Sequence, residues 1–123
     1  MDFKEWLLIA ARVLAGGAFL IIGLRNVPNH KLIADLMSAN KVPLPRLAAA
    51  IGIAMQVGFG ALMVSGFYTV VAALGLAAFT VLATLIAHHF WTFPPPERAT
   101  QVNAFLANTV MAGGLLALAS TGF

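Results

Sequence analysis

Positions 47 to 96 form a run of fifty residues without one Asp, Glu, Lys or Arg. Positions 99 to 123 form a second such run, of twenty-five. Only 9% of the 123 residues are charged, against roughly 25% in an ordinary soluble domain. A chain this short has a large surface for its volume, and seven Lys/Arg with four Asp/Glu cannot cover it. Disorder is equally excluded, because 61% of the residues are hydrophobic and such a chain collapses. The remaining solvent is a bilayer. One span needs about 20 apolar residues, and the sequence divides into four: about 6–24, 47–67, 70–90 and 102–120. The predicted fold class is an all-α membrane protein. It is a four-transmembrane-helix bundle occupying residues 1–123 as a single transmembrane domain.

The connections follow from punctuation. Pro28 forces the residue before it out of helical geometry, so the first helix should stop near Arg25 or Asn26. In the polar stretch 29–46, Leu32, Ile33, Leu36 and Met37 recur at helical spacing, with Lys31, Asp35 and Ser38 around the other side. That pattern predicts a short amphipathic helix lying at the interface. Gly66 marks a tight turn between the second and third spans. Pro94, Pro95 and Pro96 predict a stiff extended linker over 91–100.

Interfacial aromatics and charges orient this layout. Let the N-terminal face be A and the opposite face B. Trp6 and Tyr68 should sit at A and Trp91 at B, each at a span end. Arg25, Lys31, Lys41, Arg46 and Arg98 belong to face B, and outside the helices only Lys4 belongs to A. The positive-inside rule then makes B cytoplasmic, with both termini outside. The chain is expected to cross its membrane several times. Residues 1–5 carry Asp2 and Glu5 against Lys4, without the positive bias of a signal peptide, so the first helix is read as retained. A pI near 10 does not imply nucleic acid, because the basic residues form no stripe and no nucleic-acid motif is present. With no cysteine, disulfides and thiolate chemistry are excluded.

Polar groups inside a bilayer are costly and mark function by default. Six candidates form the expected polar or ligand-binding groove: Arg12, Asn26, Gln56, Thr84, His88 and Asn108. At 3.6 residues per turn, Arg12, Gly16, Gly23 and Asn26 share one helix face, whose glycines admit a close neighbour. Arg12 would point into the bundle or snorkel to face A. Gly52, Gln56 and Gly60 make a small-residue groove with one amide in it. Thr80, Thr84 and His88 form a stripe at i, i+4 and i+8, with His89 rotated about 100° away. Asn108, two turns into the last helix, would complete a pocket with Gln56 and His88. The plain structural readings are an interhelical hydrogen bond for Gln56 and Asn108, bonds back to their own helix carbonyls for the threonines, and an interfacial role for the histidines. Gly16, Gly52, Gly60 and Gly113 are expected at helix contacts.

Several chemistries fail. All four carboxylates lie outside the spans, so no membrane carboxylate pair exists for acid–base work. There is no phosphate loop, no H-x-x-x-H pair and no nucleophile elbow, and no metal site is expected. His30 and His88 both belong near face B, yet haem is disfavoured because no haem motif accompanies them.

The pieces in order resemble the DoxX-like family of small four-helix bacterial membrane proteins. They are Arg12 before Gly16, then Phe19-Leu20-Ile21-Ile22-Gly23-Leu24-Arg25-Asn26, then Val42-Pro43. Gln56-Val57-Gly58 leads to Ser65-Gly66-Phe67, followed by His88-His89-Phe90 and Phe105-Leu106-Ala107-Asn108 with Ala112-Gly113-Gly114. The family pattern often has Lys where Asn26 stands and Glu where Gln56 stands, so this chain lacks two of its charges. The resemblance implies a subunit or anchor of a redox-linked, quinone-associated membrane complex, with the bilayer and redox proteins as partners. A quinone or a lipid is the ligand class such a groove would take. The rival classes are a small transporter, a lipid-binding or hydrophobic-ligand module without catalysis, and a structural homo-oligomer. Whether the chain is an enzyme stays open at this level.

Overall fold

A computed structural model describes residues 1–122. Helix α1, Phe3–Asn26, begins where the Asp2 side chain accepts the Glu5 N–H at 2.9 Å, an ordinary N-cap. It ends ahead of Pro28, as the sequence requires. Helix α2, His30–Ala39, is the amphipathic segment. Helix α3, Pro45–Ser65, carries its proline in the first turn, where no N–H is missed. Gly66, at φ +82°, closes α3 by donating to the Leu62 and Met63 carbonyls. Helix α4 is Thr69–Ala87, one 3-10 turn covers Phe90–Thr92, and helix α5 is Glu97–Ala119. No strand occurs among the described residues.

Four helices, α1, α3, α4 and α5, are long and apolar enough to cross a membrane. With α2 between the first two, they make the four-helix membrane bundle expected from the sequence. At face B two boundaries differ from that expectation by three residues or more. Helix α4 stops at Ala87 instead of 90, and α5 starts at Glu97 instead of 102. The proline triplet confines the break to 88–96, and Glu97 favours the positive end of the helix dipole. Polar residues 97–101, read as linker, are therefore a helical extension, which hydropathy alone cannot detect.

The helices are arranged in a row that almost closes. α1 packs along α3, α3 on α4, and α4 along α5, while α5 only grazes α1. An open cleft of about 820 Å³ separates α1 from α5 near face A, with Leu7, Ala11, Gly114 and Ala117 on its walls. The apolar core is Phe19, Met63, Ala72, Ala73, Leu76, Ala77, Leu115 and Leu118. Most of these belong to the face-A halves of their helices. The face-B half holds the polar pairs and two smaller cavities instead.

Helix α2 has three faces. Ala34 is buried and Ile33 and Met37 are half-buried, on the side packed against α3. Leu32 and Leu36 are exposed on one flank. Lys31, Asp35 and Ser38 are exposed on the other. One face meets protein, one suits acyl chains and one suits water, which is the pattern of an interfacial helix.

Candidate functional site

The α1–α3 seam is built from the face the sequence singled out. A Cβ at Gly16 would fall 2.8 Å from the Gly60 carbonyl oxygen, and one at Gly60 would fall 2.8 Å from the Leu20 nitrogen. A Cβ at Gly23 would lie 2.9 Å from the Gln56 Cβ. The absence of side chains therefore lets the two backbones touch. Gly52 is looser, with only the Phe79 ring at 3.9 Å, and Gly113 has nothing within 4 Å. The expectation that Gly113 sits at a helix contact is thus corrected. α5 turns that side away from the bundle, because its other side is the one committed to α4.

At the face-A end of the seam, the Arg12 guanidinium lies over Gly66. It stands at the C-terminal end of α3, whose dipole favours a cation. Its Nε is buried without a hydrogen-bond partner. At the other end, Asn26 Nδ2 donates to Gln56 Oε1 at 3.1 Å. Gln56 is 6% exposed. It reaches a cavity of about 130 Å³ enclosed by the end of α1, α2, α3 and α4, whose other walls include Ile33, Met37, Phe79 and Ile86. Asn26 and Gln56 supply its polar groups; the remaining lining is apolar. With its oxygen taken by Asn26, Gln56 still has its Nε2 donors for a molecule in that cavity.

The remaining candidates belong to a different seam. Asn108 Nδ2 donates to Thr84 Oγ1 at 2.9 Å, joining α5 to α4. Thr84 and Thr80 also bond back to the Thr80 and Leu76 carbonyls, at 2.6 and 2.8 Å, as helical threonines commonly do. His88, the residue that caps α4, meets Gln101 of α5 through Nδ1 and Oε1 at 2.8 Å.

One groove containing all six candidates is therefore not what the fold builds. Arg12 is at face A, Asn26 and Gln56 share the α1–α3 seam, and Thr84, His88 and Asn108 share the α4–α5 seam. Asn108 does not complete a pocket with Gln56, because α5 packs on α4 and each amide has a partner on its own seam.

His89 is the residue that the sequence reading undervalued. Its Nε2 meets Asn40 Oδ1 at 2.6 Å, and its Nδ1 meets the Thr92 hydroxyl. It also lies 5.3 Å from the Phe93 ring centroid. It ties the end of α2 to the α4–α5 connection and so helps hold α2 over the Gln56 cavity. Asn40 lies 49 positions away in sequence, and no local pattern couples two such residues.

The family model described as DoxX matches residues 7–89, which contain the Gln56 cavity and its α2 cover. The chain is 31% identical over 116 residues to "Inner membrane protein YphA" of Escherichia coli (strain K12), an alignment covering 94% of this chain and 83% of that protein. No solved structure matches the chain.

Proposed function

The chain belongs to the DoxX family, and from that premise we propose that it is an inner-membrane protein that holds a quinone-like molecule beside Gln56. In this reading it serves as a membrane subunit or anchor of a redox-linked complex. The inner-membrane location is supported by the name of its Escherichia coli relative. The orientation with face B cytoplasmic and both termini outside is supported by the five basic residues of that face.

One observation carries the ligand: a nine-tenths-buried amide, paired with Asn26, opens on a cavity of about 130 Å³ whose other walls are apolar. A cavity of about 150 Å³ with apolar walls accepts benzene, so one six-membered ring is the right size. A ring carbonyl would accept from Gln56 Nε2, and the apolar tail would leave between helices into lipid. Arg12, Thr84, His88 and Asn108 hold the scaffold and do not touch this ligand.

The test is extraction of the mildly solubilised protein with organic solvent, followed by chromatography and a reduced-minus-oxidised spectrum. The expected result is a quinone in the wild type and in Thr84→Val, and its loss in Gln56→Leu. Acyl lipid in place of quinone would make the chain a lipid-binding module. Equal recovery from Gln56→Leu would remove the cavity from the account.

A further inference from the structure

A second cavity lies on the water-facing flank of α2, outside the Gln56 site. Its volume is about 440 Å³ and it is lined by His30, Lys31, Ala34, Asp35 and Arg46. That volume lies in the range of small-molecule sites. Arg46 comes from the first turn of α3 and the other lining residues from α2, so α2–α3 packing builds the cavity.

The position of the cavity fixes its surroundings. Leu32 and Leu36 are exposed on the opposite flank, the side suited to acyl chains. With that flank in lipid, the cavity opens at the depth of the phosphate groups. Basic pockets at that depth bind anionic headgroups.

The donor set is more particular than a basic patch. Lys31 and Arg46 supply two fixed cations, and Arg offers a planar fork that matches phosphate oxygens. His30 Nδ1–H donates to the Val27 carbonyl at 2.9 Å, which leaves Nε2 as an acceptor in the neutral ring. Asp35 is a second acceptor on the same wall. A bare phosphate has no use for two acceptors, whereas a phosphate carrying hydroxyl groups does. We propose that this cavity binds a phosphate ester with a polyol substituent, its phosphate on Lys31 and Arg46 and its hydroxyls on His30 Nε2 and Asp35. The same chemistry occurs in a phosphoglycerol lipid headgroup and in free glycerol phosphate.

Native mass spectrometry separates these sources and tests the site. The full-length protein in a non-ionic detergent is titrated with phosphatidylglycerol or with phosphatidylcholine of the same acyl chains. Wild type should retain phosphatidylglycerol at least about fivefold better. The Lys31→Gln/Arg46→Gln variant should lose that preference, since each basic residue near a headgroup contributes roughly a fivefold factor. Lys4→Gln, on face A, should keep it. His30→Phe should weaken phosphatidylglycerol while leaving binding of phosphatidic acid, which has no headgroup hydroxyl, unchanged, and Asp35→Leu, which removes an acceptor and a negative charge together, should shift the preference from phosphatidylglycerol towards phosphatidic acid. Displacement of the lipid by millimolar glycerol 3-phosphate would assign the site to the soluble ester. Equal retention of the two lipids by wild type, or undiminished phosphatidylglycerol on the double variant, overturns the proposal. Thermal melts of every variant exclude misfolding as the cause.

Discussion

Asn26 donates its side-chain amide to Gln56 at 3.1 Å across the α1–α3 seam. The resemblance read from the sequence implies Lys at the first of these positions and Glu at the second. The departures therefore fall on partners, and a neutral hydrogen bond stands where an ion pair would fit. The seam keeps its polar link without burying charge, whose desolvation can exceed the Coulombic gain.

That relationship predicts a rescue. Asn26→Lys alone and Gln56→Glu alone each place an uncompensated charge against the cavity and should destabilise the bundle. The double variant should recover much of the loss, with a coupling energy on the order of 1–3 kcal/mol. Unfolding in mixed micelles for all four members of the cycle measures it. Additive effects would show that the two side chains do not meet in the membrane.

The glycines give a second, paired prediction. Gly60→Leu must displace the α1 backbone, since even a Cβ would lie 2.8 Å from Leu20 N and 2.9 Å from Gly16 O. Overpacking of this kind costs about 1–3 kcal/mol. Gly113→Ala meets open space and removes a poor helix former, so stability should hold or rise by up to about 1 kcal/mol. The comparison is a thermal melt of each variant in the same detergent. A Gly113 variant as damaged as the Gly60 variant would place α5 elsewhere.

Much of this was legible in the sequence. The uncharged runs, with the apolar stretch 6–24, imply four membrane helices. The 3.6-residue period places Arg12, Gly16, Gly23 and Asn26 on one face, and all four meet α3 or the turn that follows it. The period also aligns Thr80 with Thr84. It does not say which neighbour each face meets, and this is where the single groove failed. Gln56 and Asn108 both lie within membrane helices, but the helix order puts them on different seams. Hydropathy likewise cannot mark where α5 begins, because a helix extending beyond the apolar layer can be polar. Gly113 shows the same limit, since a glycine in a membrane helix signals close approach only if a neighbour is there.

The His89–Asn40 contact predicts a local effect distinct from global stability. It links α2 to the α4–α5 connection at one point. His89→Ala should raise amide exchange at the C-terminal end of α2, around residues 37–41, while the α1–α3 seam keeps its protection. His88→Ala, which loses the bond to Gln101, should instead loosen the start of α5. Hydrogen exchange read by mass spectrometry in nanodiscs resolves the two segments. Identical profiles for the two variants would mean that neither histidine fastens a particular element.

The orientation proposed from charge has a direct test, because the chain contains no cysteine. Ser38 is exposed on α2 at face B, and Ser65 is exposed at the end of α3 at face A. Ser38 makes a suitable site because its side chain enters no hydrogen bond that holds α2 in place. Ser65 bonds only to the Leu62 carbonyl of its own helix, so Ser65→Cys should leave the turn intact. In intact cells, an impermeant maleimide applied from outside, with the outer membrane permeabilised, should label Ser65→Cys and spare Ser38→Cys. Disrupting the inner membrane should then make Ser38→Cys reactive. The reverse pattern would put face B outside, and Arg12, the one basic residue embedded near face A, would then be the charge that sets the first helix.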